Sequence, residues 1–246
     1  MKIVKIGGSV ITDKGKYRTP REDVMESISK LLGEYPGRMA LVHGAGSFGH
    51  EKALEFGLDV PGSISGKAAE ISVVINDVMS LNSMFSEHLI RNGFRGVSIP
   101  PHAIYGSNGL DLSPVTYLLN YSFSPILFGD IIMKDGKYRI ISGDELCKAL
   151  AEKIRPDEVI MVTDVDGIYS SDPKEFSNAR LLKKVKASEL SLEGKGKDAT
   201  GSMMGKVENI KTMLPFTNRV KVINGNYPDR LRKALLDEDV IGTVVF

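Results

Sequence analysis

The chain has one cysteine, no tryptophan, four histidines and almost no net charge. The lone Cys147 excludes an internal disulfide framework and a cysteine-rich zinc site. Lys+Arg total 32 and Asp+Glu 31, a balance of +1. A nucleic-acid footprint spread over the surface is therefore excluded, and any anion site must be a local focus of lysines. No apolar run is long enough to cross a bilayer, and residues 1–6 read as a strand rather than a secretory signal. A cytoplasmic protein, with neither membrane nor nucleic acid among its partners, is the expectation. There is no G-x-S-x-G nucleophile elbow and no H-E-x-x-H zinc motif. With 42% hydrophobic and 26% charged residues, close to globular averages, the composition excludes disorder, coiled coil and collagen. At 246 residues the chain suits one large α/β domain or two lobes sharing a sheet.

What is present alternates. Val24, Met25, Ile28, Leu31 and Leu32 mark one face of a helix starting near Pro20, and Ile71, Val74, Val78, Leu81, Phe85 and Leu89 mark another over 68–92. Further helices are expected over 145–154, 203–214 and 228–236. Short apolar runs of strand type lie at Lys2–Ile6 and at 39–42, 96–99, 126–128, 139–141, 159–165, 220–223 and 243–246. Strands alternating with helices predict a three-layer αβα sandwich on a mainly parallel central sheet. The stretch 106–141 breaks this rhythm with closely spaced strands. Asp135-Gly136 is a turn signal there, so a β-hairpin inserted in the N-terminal lobe is expected. Residues 58–66 read as loop. Arg155-Pro156 is the expected lobe boundary, because proline disfavours helix in the residue before it.

Ligands of open α/β sheets bind beyond the carboxyl ends of the strands, so the residues just after each strand matter most. After the first comes Lys5-Ile6-Gly7-Gly8-Ser9. Two glycines permit close backbone approach and consecutive N–H groups can nest an anion, although a tight turn alone would also use glycine. Lys14 lies further on, in the polar segment 12–19. After the second strand comes His43-Gly44-Ala45-Gly46-Ser47-Phe48-Gly49-His50. Gly44, Gly46 and Gly49 formally satisfy G-x-G-x-x-G, but a dinucleotide fingerprint belongs after the first strand and needs an acid about 20 residues on; neither condition holds. His50 is either a satisfied structural histidine or a donor to a phosphate.

Beyond the later strands lie Gly129-Asp130 and Ser142-Gly143-Asp144. Ser142 or Asp144 could be an N-cap, and an acid there could equally hold lysines in orientation. Thr163-Asp164-Val165-Asp166-Gly167-Ile168-Tyr169 and Ser171-Asp172-Pro173-Lys174 gather acids without EF-hand spacing. Thr200-Gly201-Ser202-Met203-Met204-Gly205-Lys206 opens a helix but misses Walker A spacing. Cys147 lies mid-helix and reads as core. Glycine turns together with Lys5, Lys14, Lys174 and Lys206 fit phosphoryl transfer, which needs positioning and charge neutralisation rather than a covalent nucleophile.

In this order, over nearly the whole chain, these segments resemble the amino acid kinase superfamily, which includes acetylglutamate, carbamate, aspartate and UMP kinases. On the acceptor side, Ser47-Phe48-Gly49-His50, Gly129-Asp130 and Ile141-Ser142-Gly143-Asp144 resemble its isopentenyl phosphate kinase branch. The resemblance implies phosphoryl transfer from ATP, with Mg2+, to isopentenyl phosphate, giving isopentenyl diphosphate in an alternative mevalonate route, and it implies a homodimer. Lys5, Gly7, Gly8 and Ser9 would then hold the transferring phosphates and Lys14 would stabilise the transition state. Ala45 and Gly46 would supply backbone donors, His50 would bind the acceptor phosphate, and Gly8 and Gly143 would line its site. Asp144 would orient both Lys5 and Lys14. Asp164, Asp172, Lys174, Gly201 and Lys206 would serve ATP, and no side chains would form a dedicated metal site.

An isoprenoid tail would meet Ile75, Val78, Met79 and Met84 on the 68–92 helix, where plain core packing is the alternative. Ser202 and Ala45 stand where the family commonly has glycine. Acceptor turns fall in 1–155 and nucleotide turns in 156–246, two lobes on one continuous sheet. Two other functions stay open: a kinase of the same superfamily for another small acid or a phosphonate such as fosfomycin, and a non-catalytic nucleotide-binding regulator.

Overall fold

A computed structural model describes residues 1–171, 176, 178–190 and 203–246. In chain order the elements are β1 (Lys2–Ile6), α1 (Gly8–Ile11), α2 (Glu22–Glu34), β2 (Met39–His43), α3 (Gly46–Glu55), β3 (Gly62–Ser63), α4 (Ala68–Arg91) and β4 (Gly96–Ser98). Next come β5 (Tyr105–Gly106), β6 (Gly109–Leu110), α5 (Ser113–Asn120), β7 (Ser124–Phe128), β8 (Asp130–Lys134), β9 (Lys137–Ile141) and α6 (Gly143–Ile154). The last are β10 (Glu158–Thr163), β11 (Lys184–Val185), α7 (Met203–Met213), β12 (Val220–Asn224), α8 (Pro228–Leu235) and β13 (Gly242–Val245).

The central sheet runs β11-β13-β12-β10-β1-β2-β7-β4 and is parallel except where β13 meets β12. Its middle strands are buried on both faces, which is why they read as unbroken apolar runs. Side chains of β1 alternate between two cores. Val4 and Ile6 pack with α2, α4 and α8 through Met25, Ile28, Leu81, Phe85 and Leu231. Ile3 packs on the other side with α5, α6 and α7 through Val115, Leu146, Leu150 and Ile210. The expected three layers are thus present. The sheet takes in strands from both sides of Arg155-Pro156, since β10 pairs with β1. Arg155 ends α6 in the left-handed region (φ 46°), directly before Pro156.

Register brings the site together. Ile6 pairs with both His43 and Val162, and His43 pairs with Phe128, so β1, β2, β7 and β10 end nearly flush. At the opposite, amino ends, Lys2 and Lys221 are almost fully buried around Glu158, which both contact together with Arg219; Asp237 completes the cluster.

The expected hairpin is β8–β9. Asp135 and Gly136 turn it with φ of 50° and 71°, the two positive angles a two-residue primed turn requires. It joins β3 in a three-stranded sheet and covers a third core of Phe128, Ile131, Tyr138, Val74 and Val78. Two expectations need correction. Residues 58–66 are not all loop, because β3 adds to the hairpin edge. The stretch 106–141 also holds a helix, α5: Pro114 sits at its first turn and Val115 and Leu119, four apart, are buried.

Candidate active site

Three glycine turns meet at the flush strand ends. Gly7 N–H donates to Val162 O (2.8 Å), Gly44 N–H to Ile6 O (2.9 Å) and Gly129 N–H to His43 O (3.0 Å). The first two turns lie backbone against backbone: a Cβ on Gly8 would stand 2.2 Å from the Gly46 nitrogen, and one on Gly44 2.6 Å from the Gly8 nitrogen. Gly46 itself has φ of +52°. Part of the glycine demand therefore comes from the turns interleaving, a cause that spacing alone does not reveal. Ser47 N–H donates to Thr12 Oγ1 (3.0 Å), and that hydroxyl donates to Gly8 O (2.8 Å), tying the two turns together. Ser9 is half-buried beside them.

Helix α3 begins at Gly46 and α6 at Gly143, so both direct their free N–H groups and positive dipole ends to this place. A Cβ on Gly143 would lie 3.4 Å from Lys5 Cε, and one on Gly129 3.5 Å from the Ala45 nitrogen. Gly7, Gly8, Ala45, Gly46 and Gly143 thus share one region, as expected.

Lys5 leaves β1 on the α6 side and is nearly buried. Its Nζ lies 2.9 Å from Asp144 Oδ1. Asp144 is free for this because Ser142 is the cap of α6, its Oγ accepting from Glu145 N–H at 3.1 Å. Lys14 departs from expectation. Its Nζ reaches Asp164 Oδ2 at 2.7 Å, not Asp144, so among the described residues Asp144 pairs with Lys5 and not with Lys14. The reason is position: Lys14 rides on an exposed loop facing the carboxyl end of β10, while Asp144 lies on the far side of β1 with α6. This pair links residues far apart in the chain, as does Arg21 to Asn226 Oδ1 at 2.8 Å.

His50 lies in the second turn of α3, an exposed residue whose environment is nonetheless set by the protein around it. Burial by the surrounding protein, then the charges of Lys14 and Lys5, hold its pKa below the usual histidine range. His43 is its opposite: wholly buried, pushed down by burial, stacked on Phe128 at 5.4 Å and with Nδ1 3.1 Å from Gly44 O. Cys147 is buried and its thiol is pushed well up by that burial, which makes it a core residue.

The second acid of the Thr163–Tyr169 motif is taken. Asp166 Oδ1 accepts from Asn224 Nδ2 (2.9 Å) and Arg230 (2.6 Å), and these hold its carboxyl below the usual range. The expected tail wall divides. Val78 is buried in the third core with Ile75 packed against it, whereas Met79 and Met84 are exposed. Asp172, Lys174 and Gly201 lie outside the described residues, as does the side chain of Lys206, whose backbone is in α7. Sequence patterns do not single out Asp77, which meets Tyr17 and Arg18. The available signal was an acid on the buried face of α4, between Val74 and Val78.

A sequence profile of the amino acid kinase family matches residues 1–224. The chain belongs to the amino acid kinase family. Within that family it is 39% identical over 247 residues to an isopentenyl phosphate kinase of Thermoplasma acidophilum, with all of both chains covered. An isopentenyl phosphate kinase of Methanothermobacter thermautotrophicus is 32% identical, covering 99% of this chain and 98% of its own. Among solved structures, a product complex of the T. acidophilum enzyme superposes with a TM-score of 0.87 at 37% identity, again over all of both chains. This family member thus carries the α/β sandwich of those kinases.

Proposed function

We propose that this protein transfers the terminal phosphoryl group of ATP to isopentenyl phosphate, giving isopentenyl diphosphate and ADP. The observation that carries the reading is the grouping of His50, Lys5 and Lys14 around interleaved glycine turns, in a chain that matches isopentenyl phosphate kinases from end to end. An acceptor that already bears a phosphate needs donors and positive charge on its own side, and α3 supplies them through its N-terminal N–H groups and His50. A carboxylate acceptor would favour an arginine fork instead.

The γ-phosphoryl oxygens gain charge stabilisation from Lys5, held by Asp144, and from the N–H groups of Gly7, Gly8 and Ser9. Lys14 acts from the other side of the transferring group. Ala45, Gly46 and Gly143 present backbone to the acceptor. Asp164 faces the nucleotide, and Asp172, Lys174, Gly201 and Lys206 are assigned to ATP by family resemblance. Transfer is direct, from donor oxygen to acceptor phosphate oxygen, and needs no covalent enzyme intermediate.

The described residues build no cation cage: Asp144 is paired with Lys5, Asp164 with Lys14 and Asp166 with Arg230. Magnesium would enter as the counter-ion of ATP's own phosphates, and none of the roles given to these side chains runs through it. We also infer a homodimer from the family, checked by light scattering for twice the chain mass of 26.9 kDa. No helix among the described residues is long and apolar enough to cross a membrane.

The test is ADP release with isopentenyl phosphate, dimethylallyl phosphate and fosfomycin side by side. Isopentenyl phosphate is expected to give the highest kcat/KM. Preference for fosfomycin overturns the assignment in favour of a phosphonate kinase, and no turnover of any of the three overturns it in favour of a non-catalytic nucleotide binder.

A further inference from the structure

Loop 13–19 carries Lys14 and has little packing of its own. Lys14 and Lys16 side chains are 66% and 73% exposed, and Gly15 is exposed. Backbone bonds close the loop at its base, with Asp13 N–H donating to Thr19 O at 2.9 Å. Its far side is fixed by one buried carboxylate. Asp77, in the middle of α4, has a side chain only 3% exposed, and both of its oxygens are taken by this loop. The Tyr17 hydroxyl donates to Oδ2, and the Arg18 guanidinium meets Oδ1 at 3.1 Å.

Two further observations point the same way. Arg18 has a left-handed backbone, φ 50°, costly for a residue with a side chain and kept only where the surroundings impose it. Burial and the bond to Asp77 push the Tyr17 hydroxyl up to about 12, so it stays a donor at any working pH. Ring contacts complete the seat, with Lys52 Nζ 5.2 Å from the centre of Tyr17 and Arg18 5.8 Å from that of Phe48. Lys52 and Phe48 flank His50 on α3, and Val78, next to Asp77, lies under that helix: a Cβ on Gly49 would stand 3.2 Å from it.

We propose that Asp77 is a positioning residue for phosphoryl transfer: through Tyr17 and Arg18 it fixes the loop that carries Lys14, from the same turn of α4 that supports the helix of His50. It touches no reacting atom. Its effect on rate rests on the role given to Lys14 above, whereas its hold on the loop does not.

Asp77→Asn keeps the shape but presents an amide N–H where a donor now points, and it cannot serve Tyr17 and Arg18 together. Limited trypsin digestion of the full chain with peptide mapping reads the loop without substrate. Cleavage after Lys14, Lys16 or Arg18 is expected to quicken at least tenfold, with other sites unchanged. No acceleration there overturns the clamp, whatever the protein phosphorylates. Tyr17→Phe, which removes one oxygen from a partly exposed ring, serves if Asp77→Asn does not fold, with a smaller acceleration of the same kind expected. In steady-state kinetics with ATP and isopentenyl phosphate, Asp77→Asn is expected to lower kcat at least tenfold while the KM for ATP stays within twofold. In a Lys14→Ala background its further effect on kcat should fall below twofold. An equal loss in both backgrounds overturns positioning through Lys14. Wild-type failure to use isopentenyl phosphate, with cleavage accelerated as expected, overturns the functional reading and leaves the clamp standing.

Discussion

Lys5 and Asp144 face each other at 2.9 Å, Nζ to Oδ1, across the seam between the central sheet and α6. The side chains are 10% and 15% exposed, so each charge depends on the other. Asp144→Asn should leave α6 capped by Ser142 and yet release Lys5. The expected result is a kcat lower by about 100-fold and a stability loss of about 1–3 kcal/mol, read by steady-state kinetics and urea unfolding. A kcat within twofold of wild type would show that Lys5 works without an orienting partner.

Lys14 makes the opposite case. Its pair with Asp164 is exposed enough that it contributes little to folding. Lys14→Ala should lower kcat by about 10²–10³-fold while unfolding free energy changes by less than about 1 kcal/mol. Comparable losses in both would show a structural lysine.

His50 carries a pH signature. Its folded pKa lies below 6.5, so the free protein resists protonation there. The stability linked to this group is present above 6.5 and is lost as pH falls through the folded value. An acceptor phosphate bound beside it reverses the sign and favours the imidazolium. Titration calorimetry near pH 6.5 in buffers of different ionisation enthalpy should show proton uptake on binding isopentenyl phosphate, and His50→Ala should diminish it. The same uptake in both proteins would place the phosphate elsewhere.

Glu158 anchors the amino ends of β1, β10 and β12. Glu158→Gln leaves Lys2, Lys221 and Arg219 facing Asp237 alone, and should cost about 3–5 kcal/mol. Kinetic constants should stay near wild type at a temperature where the variant is folded. Burial works against the Lys2 charge, but hydrogen bonds to Asp237 and Glu158 outweigh it and raise its pKa above 10.5. That contribution is therefore complete below pH 10.5 and disappears as pH rises through the folded value. Thermal melts from about pH 9 to 12 should show the loss in wild type and less of it in Glu158→Gln, where Asp237 still holds Lys2.

Gly8→Ala tests the interleaved turns. A Cβ 2.2 Å from the Gly46 nitrogen meets backbone that cannot rotate away. Activity should fall at least about 100-fold and the melting temperature should drop by several degrees. Full activity in Gly8→Ala would mean that the two turns separate freely.

The sheet was legible because each buried central strand is a short apolar run and the longer helices carry their period. Lys5, His50, Asp144 and the glycine turns were legible as types of residue after strand ends. The partner of Lys14 was not, because an exposed lysine on a loop takes its carboxylate from the fold rather than from sequence spacing. Asp77 escaped for a related reason: one acid on a buried helical face announces a partner without saying which of many loops will bring it. Helix α5 escaped because eight residues carry barely two turns of periodicity.

The charge cluster at the amino ends of the strands also has an electrical meaning. Lys2 and Lys5 sit on the same strand, three positions apart, and nearly all of the difference between them lies in what surrounds them. At one end Lys2 and Lys221 share Glu158 and Asp237 and are shielded from solvent. At the other, Lys5 is paired with Asp144 and the exposed Lys14 with Asp164, beside the free N–H groups that open α3 and α6. A phosphate ester arriving there meets two lysines it can draw from their carboxylates and the N-terminal N–H groups of two helices. Capture is guided toward the glycine turns, and that guidance should weaken as salt shortens its reach.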